Sequence, residues 1–369
     1  MKVRAFTSII LVWMFLGFFC LIPGTAMAKD KVFNLKVCSQ MPPGDHWSIA
    51  QKWYFDNIAK LSKGRIKVQY FWSGSLVKVG QDLHAINKGL ADVSLISPGY
   101  TPTELPIALG LDMAYTVDAT DAKSRAIMVL YQKSKLLRDE WEKKNSCKLL
   151  FAFPSDNLAV YSKVSMPNLK SIKGHKIRTY GMVADAVARL GGTPVSLPIS
   201  ECYEAASRGI IDAASGMGLA SAWNYKMYEP CPYIIDTGYG QYCQPWIVMN
   251  IKLWNKLPKD LQALMTEWSP KVIEYTTKLM QKMQADAIDD LVKRRKHIQI
   301  WSEQDKTKAK SIVQPAQYEA WITKQGKLGH DTQKVKALMM EYIELLKKYD
   351  KESKFVNGYV YWQKKYGKK

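Results

Sequence analysis

The sequence predicts an α/β fold of two lobes, with crossovers between the lobes and a long helical C-terminal part. Three observations predict it. Two successive series of short apolar strands alternate with amphipathic helices, a late strand at Tyr242–Ile251 returns, and the stretch beyond Lys259 is nearly all helical. A chain of 369 residues has room for about two domains with buried cores.

The N-terminus sets the compartment. Lys2 and Arg4 precede an almost wholly apolar run, Ile9–Ile22, which Pro23-Gly24 ends. Ala26-Met27-Ala28 then offers small residues at the two positions a signal peptidase reads. A membrane span needs roughly 20 apolar residues, and this run is shorter. Residues 1–28 are expected to be a cleaved secretory signal, leaving a periplasmic chain with no stable membrane insertion.

In the first series, Val32–Ser39 reads as a strand and His46–Leu61 as a helix stopped by Lys63-Gly64. Arg65–Trp72 alternates as a strand, Gln81–Gly89 is a short helix, and Ala91–Ser97 is a buried strand closed by Pro98-Gly99. The second series has strands at Leu149–Phe153, His175–Thr179, Pro194–Leu197 and Ile210–Ala214. Its helices fall at Met182–Leu190, at Ser200–Arg208, with Ser200 suited to cap it, and at Leu219–Tyr228. Long helices finish the chain: Lys259–His297, interrupted near Pro270, then Glu303–Lys324 and Thr332–Lys348. The resulting division is 32–154 plus about 243–285 for the first lobe, 155–242 plus about 286–350 for the second, and a basic tail at 351–369.

Composition excludes several functions. Lys and Arg number 53 against 33 Asp and Glu, a net charge of +20. The positive charge is spread over helix faces, with Lys293–Lys296 and the tail from Lys364 as small runs, which is not a nucleic-acid footprint. After the signal the cysteines are Cys38, Cys147, Cys202, Cys231 and Cys243, and none has Cys-x-x-Cys spacing. Cys231 and Cys243 flank Gly238 and Gly240 and are candidates to close a loop in an oxidising compartment. The five histidines are scattered, and no phosphate-binding loop, dinucleotide fingerprint, nucleophile elbow or zinc-protease motif occurs. No catalytic residue, metal site or cofactor is expected, and the chain reads as a non-enzyme.

One cation stands apart. Lys173-Gly174-His175-Lys176-Ile177-Arg178 puts Arg178 at a strand end, where open α/β sheets bind ligands, and a guanidinium there can grip a carboxylate with two parallel hydrogen bonds.

That segment, followed by Leu190-Gly-Gly-Thr-Pro194, Ser200-Glu201-Cys-Tyr203 and Gly209-Ile-Ile-Asp212-Ala, resembles the core signature of solute-binding proteins of TRAP (tripartite ATP-independent periplasmic) transporters. Gly64-Arg-Ile-Lys-Val, Ser73-Gly74-Ser-Leu76, Leu90-Ala-Asp-Val-Ser-Leu and Leu253-Trp-Asn-Lys-Leu257-Pro258 extend the likeness in order over most of the mature chain. The resemblance implies a periplasmic-binding-protein-like fold that closes on a small organic acid and hands it to a membrane permease driven by an ion gradient. It makes Arg178 the main carboxylate ligand. A second family arginine falls near Leu158, and a family asparagine near Gly216. These departures imply a less polar pocket, for a carboxylate with an apolar or aromatic body. Met217, Tyr180, Trp223, Tyr242 and Trp246, with Trp72 and Tyr100 from the first lobe, are candidates to line it. The alternatives are a sensor presenting the acid to a membrane receptor and a two-lobed periplasmic transferase.

Overall fold

The computed structural model describes residues 31–241 and 244–367. The signal segment, Tyr242 and Cys243 lie outside these, and so does the question of a Cys231–Cys243 bridge. Eleven strands among the described residues form two sheets. The first comprises β1 (Phe33–Cys38), β2 (Ile66–Phe71), β3 (Val93–Ile96), β4 (Cys147–Ala152) and β10 (Trp246–Asn250), in the order β2-β1-β3-β10-β4. The second comprises β5 (Leu158–Ser162), β6 (Lys176–Thr179), β7 (Thr193–Ser196), β8 (Ala213–Gly218), β9 (Tyr233–Asp236) and β11 (His297–Ile300), in the order β11-β9-β5-β8-β6-β7. β10 runs antiparallel between β3 and β4, and β5 antiparallel between β8 and β9; the other pairs are parallel.

Helices cover the sheets. In the first half these are α1 (His46–Leu61), α2 (Asp82–Asn87), α3 (Pro106–Gly110), α4 (Thr120–Lys133) and α5 (Lys135–Asp139). α6 (Gly181–Arg189), α7 (Cys202–Ser207), α8 (Leu219–Asn224) and α9 (Ile251–Lys256) follow the later strands. The chain ends in α10 (Lys259–Lys293), α11 (Glu303–Lys327), α12 (Thr332–Glu352) and α13 (Gly358–Tyr366). α1 shows why the local reading works. Asp45 caps it by accepting from Trp47 N at 2.9 Å, and Ala50, Tyr54, Phe55 and Ile58 recur on its buried face.

Several elements differ from expectation. α10 passes Pro270 unbroken: the proline stands exposed on the solvent side, while Leu261, Met265, Val272, Ile273 and Met280 bury the opposite face. β8 begins three residues beyond the predicted start, because Asp212 is held in the preceding turn, its carboxylate accepting from Lys176 N at 2.8 Å. Ser200 makes no capping bond; Ile199–Glu201 is a 3-10 turn leading into α7. The segment read as a basic tail carries α13, because Tyr361, Lys365 and Tyr366 all converge on Asp289 of α10 at 2.9–3.1 Å. β5, β9 and β11, and the helices α3, α4, α5 and α9, have no counterpart in the sequence reading.

The chain crosses between the sheets from β4 to β5, back from β9 to β10, and again through α10 to β11. Asp156 anchors the first crossover from inside. Its carboxylate accepts from Ala220 N, at the start of α8, at 2.6 Å and from the Gln284 amide of α10. Gln284 in turn accepts from Gly358 N of α13 at 2.6 Å. Burial, assisted by the charge of Asp45, pushes the Asp156 carboxyl up to about 7, and burial likewise raises Glu140 to about 7 and Asp82 to about 6. A carboxyl raised above its unfolded value binds its proton more readily in the folded chain. Its contribution to stability is fully present below about pH 4 and is lost as pH rises through about 7. The melting temperature is therefore expected to fall between pH 5 and 8 by more in the wild type than in Asp156→Asn. Equal slopes in a calorimetric pH series would contradict this assignment.

Candidate functional site

Arg178 is buried at the end of β6, in register with Val195 of β7 and Ala214 of β8. Its Nε donates to Leu197 O at 2.9 Å, Nη1 to Ser215 O at 3.1 Å, and Nη2 to Leu197 O at 2.6 Å and to the Tyr100 hydroxyl at 2.9 Å. Its hydrogen-bond partners are thus two backbone carbonyls and a phenol, and among the described residues no carboxylate forms an ion pair with it. Burial opposes the charge, but Tyr100, Cys202 and Tyr180 outweigh that and hold the guanidinium above its ordinary range. A fully buried cation without a charged partner is costly unless an anion joins it.

The partners come from both sheets. Tyr100 ends the turn that follows β3, and Tyr180 precedes α6; their rings stack at 4.2 Å with planes 4° apart. Beneath the stack, Gly99 and Gly181 bring two backbones together. Gly181 has φ +54°, and a Cβ there would lie 2.8 Å from Gly99 Cα. Gly216 has φ +79°, and a Cβ there would press on the Tyr180 ring at 3.2 Å.

These residues close a cavity of about 10 Å³, room for little more than one water. Met41, Trp47 and Tyr100 wall it on the side of the first sheet, and Leu158, Tyr180, Ile199, Gly216 and Met217 on the side of the second. Ser155, Gly218 and Ser221 complete it. One further contact ties the same faces: Ser221 Oγ donates to Asp45 at 3.3 Å. Trp47 is held from its own side, its Nε1 donating to Pro154 O at 2.9 Å. Ligand sites commonly measure several hundred Å³, so admitting an organic acid requires the walls to part.

The structure thus sets Tyr100, Tyr180 and Gly216 against Arg178 and brings Leu158 and Met217 to the adjoining cavity. It places three other candidates elsewhere. Trp246 is buried in β10, stacked on Trp141 at 5.0 Å. Trp223 donates to Asp290 of α10 at 3.0 Å, and Trp72 stacks on Tyr70 at 5.1 Å. Tyr242 lies outside the described residues. Sequence reasoning missed Met41, Trp47, Ser155, Ile199, Gly218 and Ser221. Met41 and Trp47 follow the carboxyl end of β1, a position that marks ligand crevices in open sheets, and this is the signal that was there to use.

A wider groove of about 700 Å³ runs between α4, α10 and α12, past Met128, Ile273 and Tyr349. Its guanidinium, Arg125, is already paired with Asp121 and Glu352. Size alone therefore does not make it the acid site. Among the described residues no three His, Cys, Asp or Glu side chains converge to hold a metal ion, and no helix is long and apolar enough to cross a membrane.

Known proteins share this architecture. The solute-binding protein of a TRAP system from Rhodoferax ferrireducens, solved with copurified benzoate, superposes with a TM-score of 0.77 at 21% identity, covering 87% of this chain and 99% of that one. A TRAP solute-binding protein from Xanthobacter autotrophicus with bound β-D-galacturonate gives 0.71 at 16% identity, covering 84% and 99%. The monocarboxylate 2-oxoacid-binding periplasmic protein of Nostoc sp. is 25% identical over 232 residues, 56% of this chain and 57% of that protein. The family model of bacterial extracellular solute-binding proteins, family 7, matches residues 38–324. With that match spanning most of the sequence and Arg178 buried where two sheets meet, the chain belongs to this family, the solute-binding proteins of TRAP transporters.

Proposed function

We propose that this solute-binding protein captures a monocarboxylate with an apolar or aromatic body, closes over it, and delivers it to a TRAP permease. The single observation that supports this reading most is Arg178, a buried guanidinium without a carboxylate partner among the described residues, bonded to the Tyr100 hydroxyl, which walls a small cavity together with Met, Leu, Ile and Trp side chains. In this reading the carboxylate takes the place of the Tyr100 hydroxyl on Nη2. The lobes are 32–154 with about 243–285, and 155–242 with about 286–350, and they move apart along the Tyr100–Tyr180 stack.

The ligand body follows from what the walls lack. A site built for hydroxyls rejects analogues without them, because its own polar groups are left unpaired. Here Leu158, Met217, Ile199 and Trp47 instead reward buried apolar area, at about 25 cal/mol per Å². The benzoate and 2-oxoacid ligands of two relatives are of this kind, whereas galacturonate is not. A thermal-shift panel is expected to show stabilisation by benzoate or branched-chain 2-oxo acids, and none by hexuronates or sialate. The reverse pattern would overturn the ligand class and leave the family untouched.

A further inference from the structure

The two basic runs of the sequence are far apart in the chain, at Lys293–Lys296 and from Lys364 onward, and the fold brings them together. α13 lies along α10 and points the same way. Val356 N and Gly358 N, where α13 begins, donate to Gln281 and Gln284 of α10, while Lys365 and Tyr366, at its end, donate to Asp289. The ends of the two helices therefore stand side by side, and with them Lys293, Arg294, Arg295, Lys296, Lys364 and Lys365. None of these six lines the acid cavity.

The acids among them are already engaged. Asp289 accepts from Lys365 and from the hydroxyls of Tyr361 and Tyr366. Asp290 accepts from Arg294 Nε at 2.6 Å and from Trp223 Nε1 at 3.0 Å. Lys293, Arg295 and Lys364 are exposed and form no ion pair among the described residues. A helix C-terminus favours cations through its own dipole, which accounts for some of this charge. It does not account for a second observation, the aromatic rings set among the cations. Arg294 and Lys296 lie over the Tyr228 ring, 5.1 and 6.0 Å from its centroid, and Lys365 lies over Tyr361 and Tyr366 at 5.1 and 5.3 Å. Trp362 of α13 is half-buried against the core, and its indole N–H has no partner among the described residues. Lysine and arginine beside half-exposed Trp and Tyr is the composition that meets a membrane interface, where rings settle at headgroup level and cations meet phosphates.

We infer that the paired ends of α10 and α13 form a docking surface for a bilayer carrying anionic phospholipids. The protein adsorbs there without inserting, its cations against headgroup phosphates and Trp362 at headgroup depth. For a solute-binding protein that works with a membrane permease, adsorption confines the search to the plane in which the partner lies.

Flotation of residues 29–369, which include every described element, tests this with vesicles of phosphatidylcholine alone and of phosphatidylcholine with one-third phosphatidylglycerol. The wild type is expected to bind the anionic vesicles at least tenfold more strongly, and to come off when salt is raised to about 0.5 M. Each cation near an anionic surface is worth about fivefold in partition. Lys293→Gln, Arg295→Gln and Lys364→Gln together are therefore expected to weaken that binding at least tenfold, with an unchanged melting temperature. Lys67→Gln, Lys78→Gln and Lys88→Gln together remove the same charge from exposed positions around β2 and α2, and are expected to weaken it far less. Equal losses in the two triple variants, equal binding to both kinds of vesicle, or no flotation at all would overturn the surface. Polyglutamate bound through the same residues in place of vesicles would overturn the bilayer as its partner. Should the first triple variant melt early, Lys364→Gln alone decides, and undiminished binding there counts against the proposal.

Discussion

Arg178→Ala is expected to weaken organic-acid binding by well over tenfold in calorimetry, and Arg178→Lys is expected to recover only part of the loss. Truncating one member of a buried charge pair costs about 2–5 kcal/mol, because the carboxylate would then be desolvated without a partner. Lysine restores the charge but not the fork that now engages Leu197 O and Ser215 O together. The alanine variant also carries a folding cost. Each buried carbonyl left unpaired is worth about 1–3 kcal/mol, although removal of a buried charge offsets part of this. The melting temperature of each variant without ligand must accompany the affinities. Near-wild-type affinity in a folded Arg178→Ala would remove Arg178 from the site.

Gly181→Ala is the second large effect. The new Cβ would meet Gly99 Cα at 2.8 Å, a backbone atom that cannot rotate away, and φ at +54° adds strain for any side chain. The closed arrangement then rises in energy while an open one is spared the contact. Apparent affinity falls in proportion to the closed fraction, so a loss of about tenfold follows for each 1.4 kcal/mol of crowding. Gly99→Ala serves as the comparison. Its Cβ meets the Tyr180 ring at 2.8 Å and Gly181 Cα only at 3.3 Å, and no left-handed φ adds strain there, so its effect is expected to be smaller. Small-angle scattering at a ligand concentration near the wild-type dissociation constant is expected to give a larger radius of gyration for Gly181→Ala than for wild type. Equal radii and affinities would show that the Gly99–Gly181 approach does not govern closure.

How far the sequence carried the fold depends on whether its signals were local. α1 matched to the residue because its cap and its apolar spacing lie within the segment itself. Arg178 was legible because its strand and the following helix frame it. β9, Tyr-Ile-Ile-Asp, and β11, His-Ile-Gln-Ile, are four-residue strands whose identity comes from pairing with each other and with β5, and nothing within four residues announces that. Pro270 misled for the opposite reason. A local helix breaker was outweighed by apolar contacts along both ends of α10, contacts that only the fold creates. The same division runs through the site. Leu158, Gly216 and Met217 followed from their places in ordered motifs. Trp47 and Ser221 lie in no such motif and reach the cavity through the packing of α1 and α8 against it. Aromatic residue type on its own was a poor guide, since Trp246 and Trp223 satisfy packing demands elsewhere.

The position of β10 has a consequence for how the chain is made. It fills the gap between β3 and β4, yet it comes almost a hundred residues after β4 ends. Until Trp246–Asn250 has been synthesised, two strands of the first sheet present bare hydrogen-bonding edges to each other's absent neighbour, and no stable core can close around them. Assembly must therefore wait for long-range pairing, which folds slowly. In a family of extracellular proteins that delay is an advantage, because a chain that cannot finish folding early stays able to thread through a narrow channel. It also means that a ribosome stalled before residue 246 releases a product with open strand edges, which is prone to aggregate rather than to survive as a half-sized binding protein.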